Sequence, residues 1–110
     1  MRPRVGVAVI GVVVVAVVLG TVVWLRAAGD GVTVDAVGDQ VQTLPRGRLP
    51  VFATGADTAA LYRFALERRD VLQYMPCTCG CGGVGHVSNV SCYVKAEAGD
   101  RVTFTSHAAT

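Results

Sequence analysis

The sequence predicts a mainly α protein. It should carry an N-terminal transmembrane helix, a tether, and a small helical, cysteine-rich domain that can add a short C-terminal β-hairpin. Three observations predict this. Val5 to Leu25 runs for 21 residues without a charge. Apolar residues recur at helical spacing between Asp57 and Arg69. All four cysteines of the 110-residue chain fall between Cys77 and Cys92, three of them at alternate positions in Cys77-Thr78-Cys79-Gly80-Cys81. A chain of this length has room for one small domain.

The uncharged run comes first. A helix of that length is about 31 Å long and matches a hydrocarbon core of about 30 Å. Valine is a mediocre helix former in water, but a backbone in lipid must satisfy its own hydrogen bonds, which enforces the helix. Trp24 stands where an indole suits the lipid–water boundary. Residues 1–26 therefore read as a cytoplasmic N-terminus and an anchor, with the bilayer as partner. The rival is a cleaved signal peptide, whose apolar core is usually about 7–15 residues. The small cluster Ala27-Ala28-Gly29 would put Arg26 at the awkward −3 position, and no cysteine for lipidation occurs before Cys77. Arg2 and Arg4 precede the run and Arg26 alone closely follows it, which keeps the N-terminus inside and sends the rest out. Beyond Arg26, seven Lys and Arg stand against eight Asp and Glu. That balance offers no basic face for nucleic acid.

Residues 27–49 read as a tether, because their apolar residues keep no sustained period. Val32 and Val34 alternate weakly, and Pro45 and Pro50 bracket Arg46-Gly47-Arg48 in extended chain. Order should begin near Pro50, giving a domain over 50–110. Asp57 or Thr58 offers an N-cap for a helix to about Arg69, with Leu61, Phe64 and Ala65 as its apolar stripe and Tyr62 and Leu66 widening it. Asp70 can cap a short turn that Pro76 stops. Ser88 or Ser91 can cap another. Cys92–Lys95 and Arg101–Thr105 alternate like strands around Ala98-Gly99-Asp100 and suggest a small hairpin.

A folded unit of about 60 residues buries little apolar surface and usually carries a staple. The cysteines should therefore be bonded to a metal or to one another. In extended chain, side chains two apart point the same way, so Cys77, Cys79 and Cys81 can present three sulfurs to one point. Gly80, Gly82 and Gly83 let the backbone curl around them. Cys92 can return as a fourth ligand, and His86, or with less support His107, can substitute for one. Thiolates suit Cu(I) or Zn(II). The single-residue gaps depart from the CxxC of zinc and redox motifs. Two disulfides remain an alternative in an oxidising compartment. Cys92 can partner only one of the other three, so one bond must be local and strained, and strained bonds are the more readily reduced. Metal binding, structural disulfides and thiol exchange thus stay open on the residues alone. No Ser-His-Asp set, carboxylate pair or phosphate-cradling loop supports a hydrolase or kinase.

The stretch from Tyr62 through Pro76-Cys77-Thr78-Cys79-Gly80-Cys81, with Gly85-His86, Asn89 and Cys92-Tyr93 after it, resembles the PCYCGC-motif family of small bacterial exported or lipid-anchored proteins. Thr78 stands where the family usually has tyrosine. The resemblance covers about Leu49 to Tyr93 and brings no established activity, though metal handling is the expectation attached to it. It also implies a lipobox cysteine in many relatives, replaced here by the longer apolar run. Relatives tend to continue into further cysteines past a histidine placed like His107. The domain then reads either as truncated at its C-terminus or as carrying a reduced site, with four cysteines as the upper limit.

The resulting expectation is a single-pass bacterial membrane protein, N-terminus in the cytoplasm and C-terminal domain outside, that binds a soft metal ion through Cys77, Cys79, Cys81 and Cys92 with His86 as auxiliary. Copper is the first choice and zinc the second. The role is that of a carrier, buffer or delivery protein that hands metal to a protein partner, not a catalyst. The alternatives are thiol–disulfide exchange and a non-catalytic interaction domain stapled by disulfides.

Overall fold

The computed structural model describes residues 3–28 and 30–110. Arg2 and Gly29, which entered the orientation and cleavage arguments, lie outside the described residues, as does Met1. The chain divides into two units, residues 1–30 and 31–110.

The first unit is α1 (Pro3–Ala28), a helix of 26 residues. Its Ala8–Leu25 stretch is long and apolar enough to cross a membrane, and a signal sequence would meet the same criterion. The Thr21 hydroxyl is satisfied within the helix, donating back to the carbonyls of Val17 (3.0 Å) and Val18 (2.9 Å).

The second unit corrects the mainly α expectation. It is a four-stranded antiparallel sheet with two helices packed on one face. The strands are β1 (Val32–Val34), β2 (Gln40–Pro45), β3 (Val94–Ala98) and β4 (Arg101–Thr105), in spatial order β1-β2-β4-β3. The expected hairpin is β3–β4, turned at Gly99 with φ +58° and carrying an irregularity between Val94 and Ala96. Two strands fall in the stretch read as a tether. β2 escapes a periodicity search because one of its two inward positions is polar. Gln42 and Leu44 are buried, whereas Val41 lies on the half-exposed side. Gln42 is tolerated inside because its Oε1 accepts from the Val51 amide at 2.9 Å.

Helix α2 (Ala56–Glu67) starts one residue before the anticipated cap. Gly55, with φ +79°, holds the N-cap position without a side-chain bond. The buried stripe is also rotated from the expected one. Tyr62 and Ala65 are fully buried, while Leu61 and Phe64 remain about half exposed. Tyr62 wins the inward position because it can bury a ring and still satisfy its hydroxyl, which donates to the Thr105 carbonyl at 2.6 Å. Its ring meets those of Tyr93, Phe52 and Phe104 edge-on at 5.2, 5.9 and 6.1 Å. A short helix α3 (Arg69–Leu72) follows, started from Arg68 and not capped by Asp70, and sends Leu72 inward. Leu44, Val94, Val102 and Phe104 of the sheet complete the core with Val90.

Candidate metal centre

The cysteine segment leaves the core at Met75 and rejoins it at Asn89. The Asn89 amide donates to the Met75 carbonyl at 2.8 Å, pinching the intervening loop shut at its base. Inside the loop, Cys81–Val84 forms one 3₁₀ turn, flanked by Gly80 at φ +82° and Gly85 at φ +90°. Those left-handed corners are accessible to glycine at little cost. They reverse the chain twice in six residues. The His86 amide then returns to the Cys81 carbonyl at 3.3 Å. Asn89–Cys92 is a second 3₁₀ turn started from Ser88, whose side chain makes no cap bond, and it delivers Cys92 against the core just ahead of β3.

The result gathers the sulfurs. Cys77 Sγ lies 2.8 Å from Cys79 Sγ and 3.3 Å from Cys92 Sγ, and all four cysteines are free thiols. Donor atoms of Cys77, Cys79, His86 and Cys92 all lie within 4.8 Å of one another. A second quartet under the same limit is Cys79, Cys81, His86 and His107. Each of the five residues singled out from the sequence therefore belongs to at least one quartet. Cys81 belongs to the second alone, and Cys79 and His86 belong to both.

His107 joins through the sheet. The β2–β4 register pairs Val41 with Thr105. Carried two residues further, the same register sets Asp39 opposite His107. Asp39 Oδ2 lies 2.8 Å from His107 Nδ1, and His107 Nε2 lies 3.1 Å from Cys81 Sγ. A proton on Nδ1, donated to the carboxylate, leaves the Nε2 lone pair facing sulfur. This is the arrangement in which a carboxylate orients a metal-binding imidazole. Asp39 is itself fixed by the turn before β2, where Asp35 Oδ1 accepts from the amides of Val37 and Asp39, both at 3.1 Å. Asp35 is held below the usual carboxylate range, first by its bond to Lys95. His107 lies in the 3₁₀ turn Ser106–Ala109, its amide reaching the hydroxyl of the capping Thr105 at 3.4 Å.

Two of the donors, Cys92 and His86, are held in their neutral forms. Burial, followed by the proximity of Cys77, pushes the Cys92 thiol up to about 12. Burial, followed by His107, lowers His86 below the usual imidazole range, so its ring is neutral near pH 7. The two imidazoles meet edge-on at 4.5 Å. His86 is 7% exposed, and its Nδ1 is buried without a hydrogen-bond partner. Buried polar atoms are nearly always paired, so an orphaned nitrogen on a histidine that belongs to both donor groups calls for a partner of another kind. A soft metal ion fits: the donors are thiol sulfur and imidazole nitrogen, converge within a few ångströms, and include an orientated histidine.

Asp39 was not visible as a site residue in the sequence, and His107 was only an outside candidate. Both lie at the ends of paired strands, and the sole signal was the register between a strand hidden by Gln42 and a strand readily seen.

The profile of a family described as "Protein of unknown function with PCYCGC motif" matches residues 28–110. No curated protein and no solved structure matches the chain. The matched region reaches past Leu49–Tyr93 on both sides and takes in the whole sheet, Asp39 and His107 as well as the four cysteines. The chain belongs to the PCYCGC-motif family.

Proposed function

We propose that this protein is a membrane-anchored binder of a soft metal ion, copper in the first instance, held outside the cell for carriage, buffering or delivery to a protein partner. The observation that carries this reading is the convergence of Cys77, Cys79 and Cys92 with a ring nitrogen of buried His86, whose Nδ1 has no hydrogen-bond partner. Cys77, Cys79, Cys81 and Cys92 supply thiolates and His86 supplies nitrogen. α1 supplies the anchor, with the arginine-bearing N-terminus inside. Cys79 is exposed and gives an incoming carrier's ligand a place to attack. Zinc is the second candidate, since three thiolates and an imidazole also suit a tetrahedral ion.

Anaerobic purification of the chain in detergent, followed by metal analysis and intact mass, tests the reading. Bound metal with four free thiols supports it. A protein that takes up neither Cu(I) nor Zn(II) would sink it. Replacement of Cys79 by Ser should abolish retention, and unchanged stoichiometry would remove that residue from the site. Orientation is tested by thiol labelling of intact cells with an impermeant reagent.

Thiol–disulfide exchange is the second reading, favoured by one feature. Cys77 has two sulfurs within 3.3 Å and can pair with Cys79 or with Cys92. A reduction potential close to that of known exchange proteins, together with no metal uptake, would favour it over the first.

A further inference from the structure

We infer that the six donors form a two-ion site in which the Cys79 thiolate bridges a pair of monovalent soft cations. The inference rests on the metal-binding reading above and specifies what that site holds.

The two quartets overlap without coinciding. Cys77 and Cys92 belong to one and Cys81 and His107 to the other, while Cys79 and His86 are common to both. A single four-coordinate ion would leave two of the six donors idle. One of the idle residues would be either Cys92, buried at 8% exposure, or His107, which Asp39 has already orientated. Two ions use every donor. The first takes Cys77, Cys79 and Cys92; the second takes Cys79, Cys81 and His107. His86 completes one or the other. Three soft donors each, with one thiolate shared, satisfy ions that accept low coordination numbers, and sulfur has the lone pairs to bridge.

Position on the fold separates the halves. Cys77 and Cys92 sit where the loop meets the core, and Cys92 is fixed by the turn that leads into β3. Cys81 and His107 join the loop to the far end of β4, and there the Asp39 carboxylate fixes the imidazole at 2.8 Å. The second half therefore also depends on β2 and β4, which bring Asp39 and His107 to the loop.

The test is a Cu(I) titration of the full-length chain in detergent, reduced and oxygen-free, against a competing Cu(I) chelator, read by native mass spectrometry and metal analysis. Two Cu(I) per wild-type chain are expected. Cys81→Ser, a near-isosteric change in a surface turn, should bind one, and so should His107→Ala. Asp39→Asn keeps every ligand and should weaken uptake of the second ion about 10–100-fold while leaving the first unchanged. X-ray absorption should show a metal–metal contact in the wild type that Cys81→Ser lacks. Saturation of the wild type at one ion, or two ions retained by both Cys81→Ser and His107→Ala, would overturn the inference and leave the metal-binding reading standing. No uptake at all would remove both.

Discussion

The sheet and the cysteine loop sit side by side in one unit of 80 residues and are held by different forces. The sheet side is tied by the β2–β4 ladder and by apolar burial, with Leu44, Tyr62, Ala65, Val102 and Phe104 fully sequestered. The loop from Pro76 to Val87 adds no residue to that apolar core. Its order comes from the Met75–Asn89 pinch, two left-handed glycines and the gathering of side-chain donors. A segment with so few apolar contacts belongs at the low-stability end of a fold. The difference teaches that the metal would act on the loop as burial acts on the sheet, supplying the cohesion that its composition withholds.

Five measurements can break or sharpen that contrast. The largest effect is expected in the sheet, where Phe104→Ala should cost about 3–5 kcal/mol in denaturant unfolding. Slightly below it stands the metal itself: Cu(I) at 1,000 times its dissociation constant should stabilise the reduced chain by about 4 kcal/mol. Hydrogen exchange should show the gain concentrated in the loop amides, and a gain spread evenly over the sheet would contradict the contrast. The third effect is on affinity. Because the Cys92 thiol is pushed up to about 12, it is protonated near pH 7 and must release its proton to bind. Affinity should therefore rise with pH, by about tenfold per unit for each proton displaced. A flat profile between pH 6 and 8 would exclude Cys92 as a ligand. Gly85→Ala, which forces a side chain to φ +90°, should cost about 1 kcal/mol and loosen the loop more than the sheet.

The smallest effect is electrostatic. Glu97 on β3 meets Arg46 at 2.7 Å and also pairs with Arg69, tying the sheet to the strand-end turn and to α3. Arg46, followed by Arg69, outweighs burial and holds its carboxyl below the usual range. A depressed carboxylate contributes stability above its unfolded range and loses it as pH falls through its folded value. Glu97→Gln should therefore cost about 0–1 kcal/mol at pH 7. The two proteins should converge in acid, as urea midpoints at pH 7 and pH 3 would show.

How far these features could be read in advance depended on whether the signal was local. The apolar run of α1, the helix over 56–67, the β3–β4 hairpin and the cysteine cluster each announce themselves within a dozen residues. The buried face of α2 is ambiguous in sequence because Tyr62-Ala65-Leu66 obeys the same spacing as Leu61-Phe64-Ala65. Only the carbonyl of Thr105, 43 residues away, decides between them. β2 was lost because Gln42 breaks the alternation at an inward position, and its compensating partner, the Val51 amide, is not encoded in side-chain character. With β2 went Asp39, and with Asp39 the case for His107. The site was legible as a set of sulfurs and illegible as a set of strand ends.

That dependence gives the β2–β4 pairing a second meaning. A strand that slips by one residue turns every side chain over. Such a slip would carry Asp39 away from the imidazole and turn Gln42 and Leu44 outward together. Lengthening the Ala36–Gly38 corner by one residue is thus a mechanical lever on ligand chemistry about seventy residues downstream, and metal occupancy becomes a gauge of strand alignment.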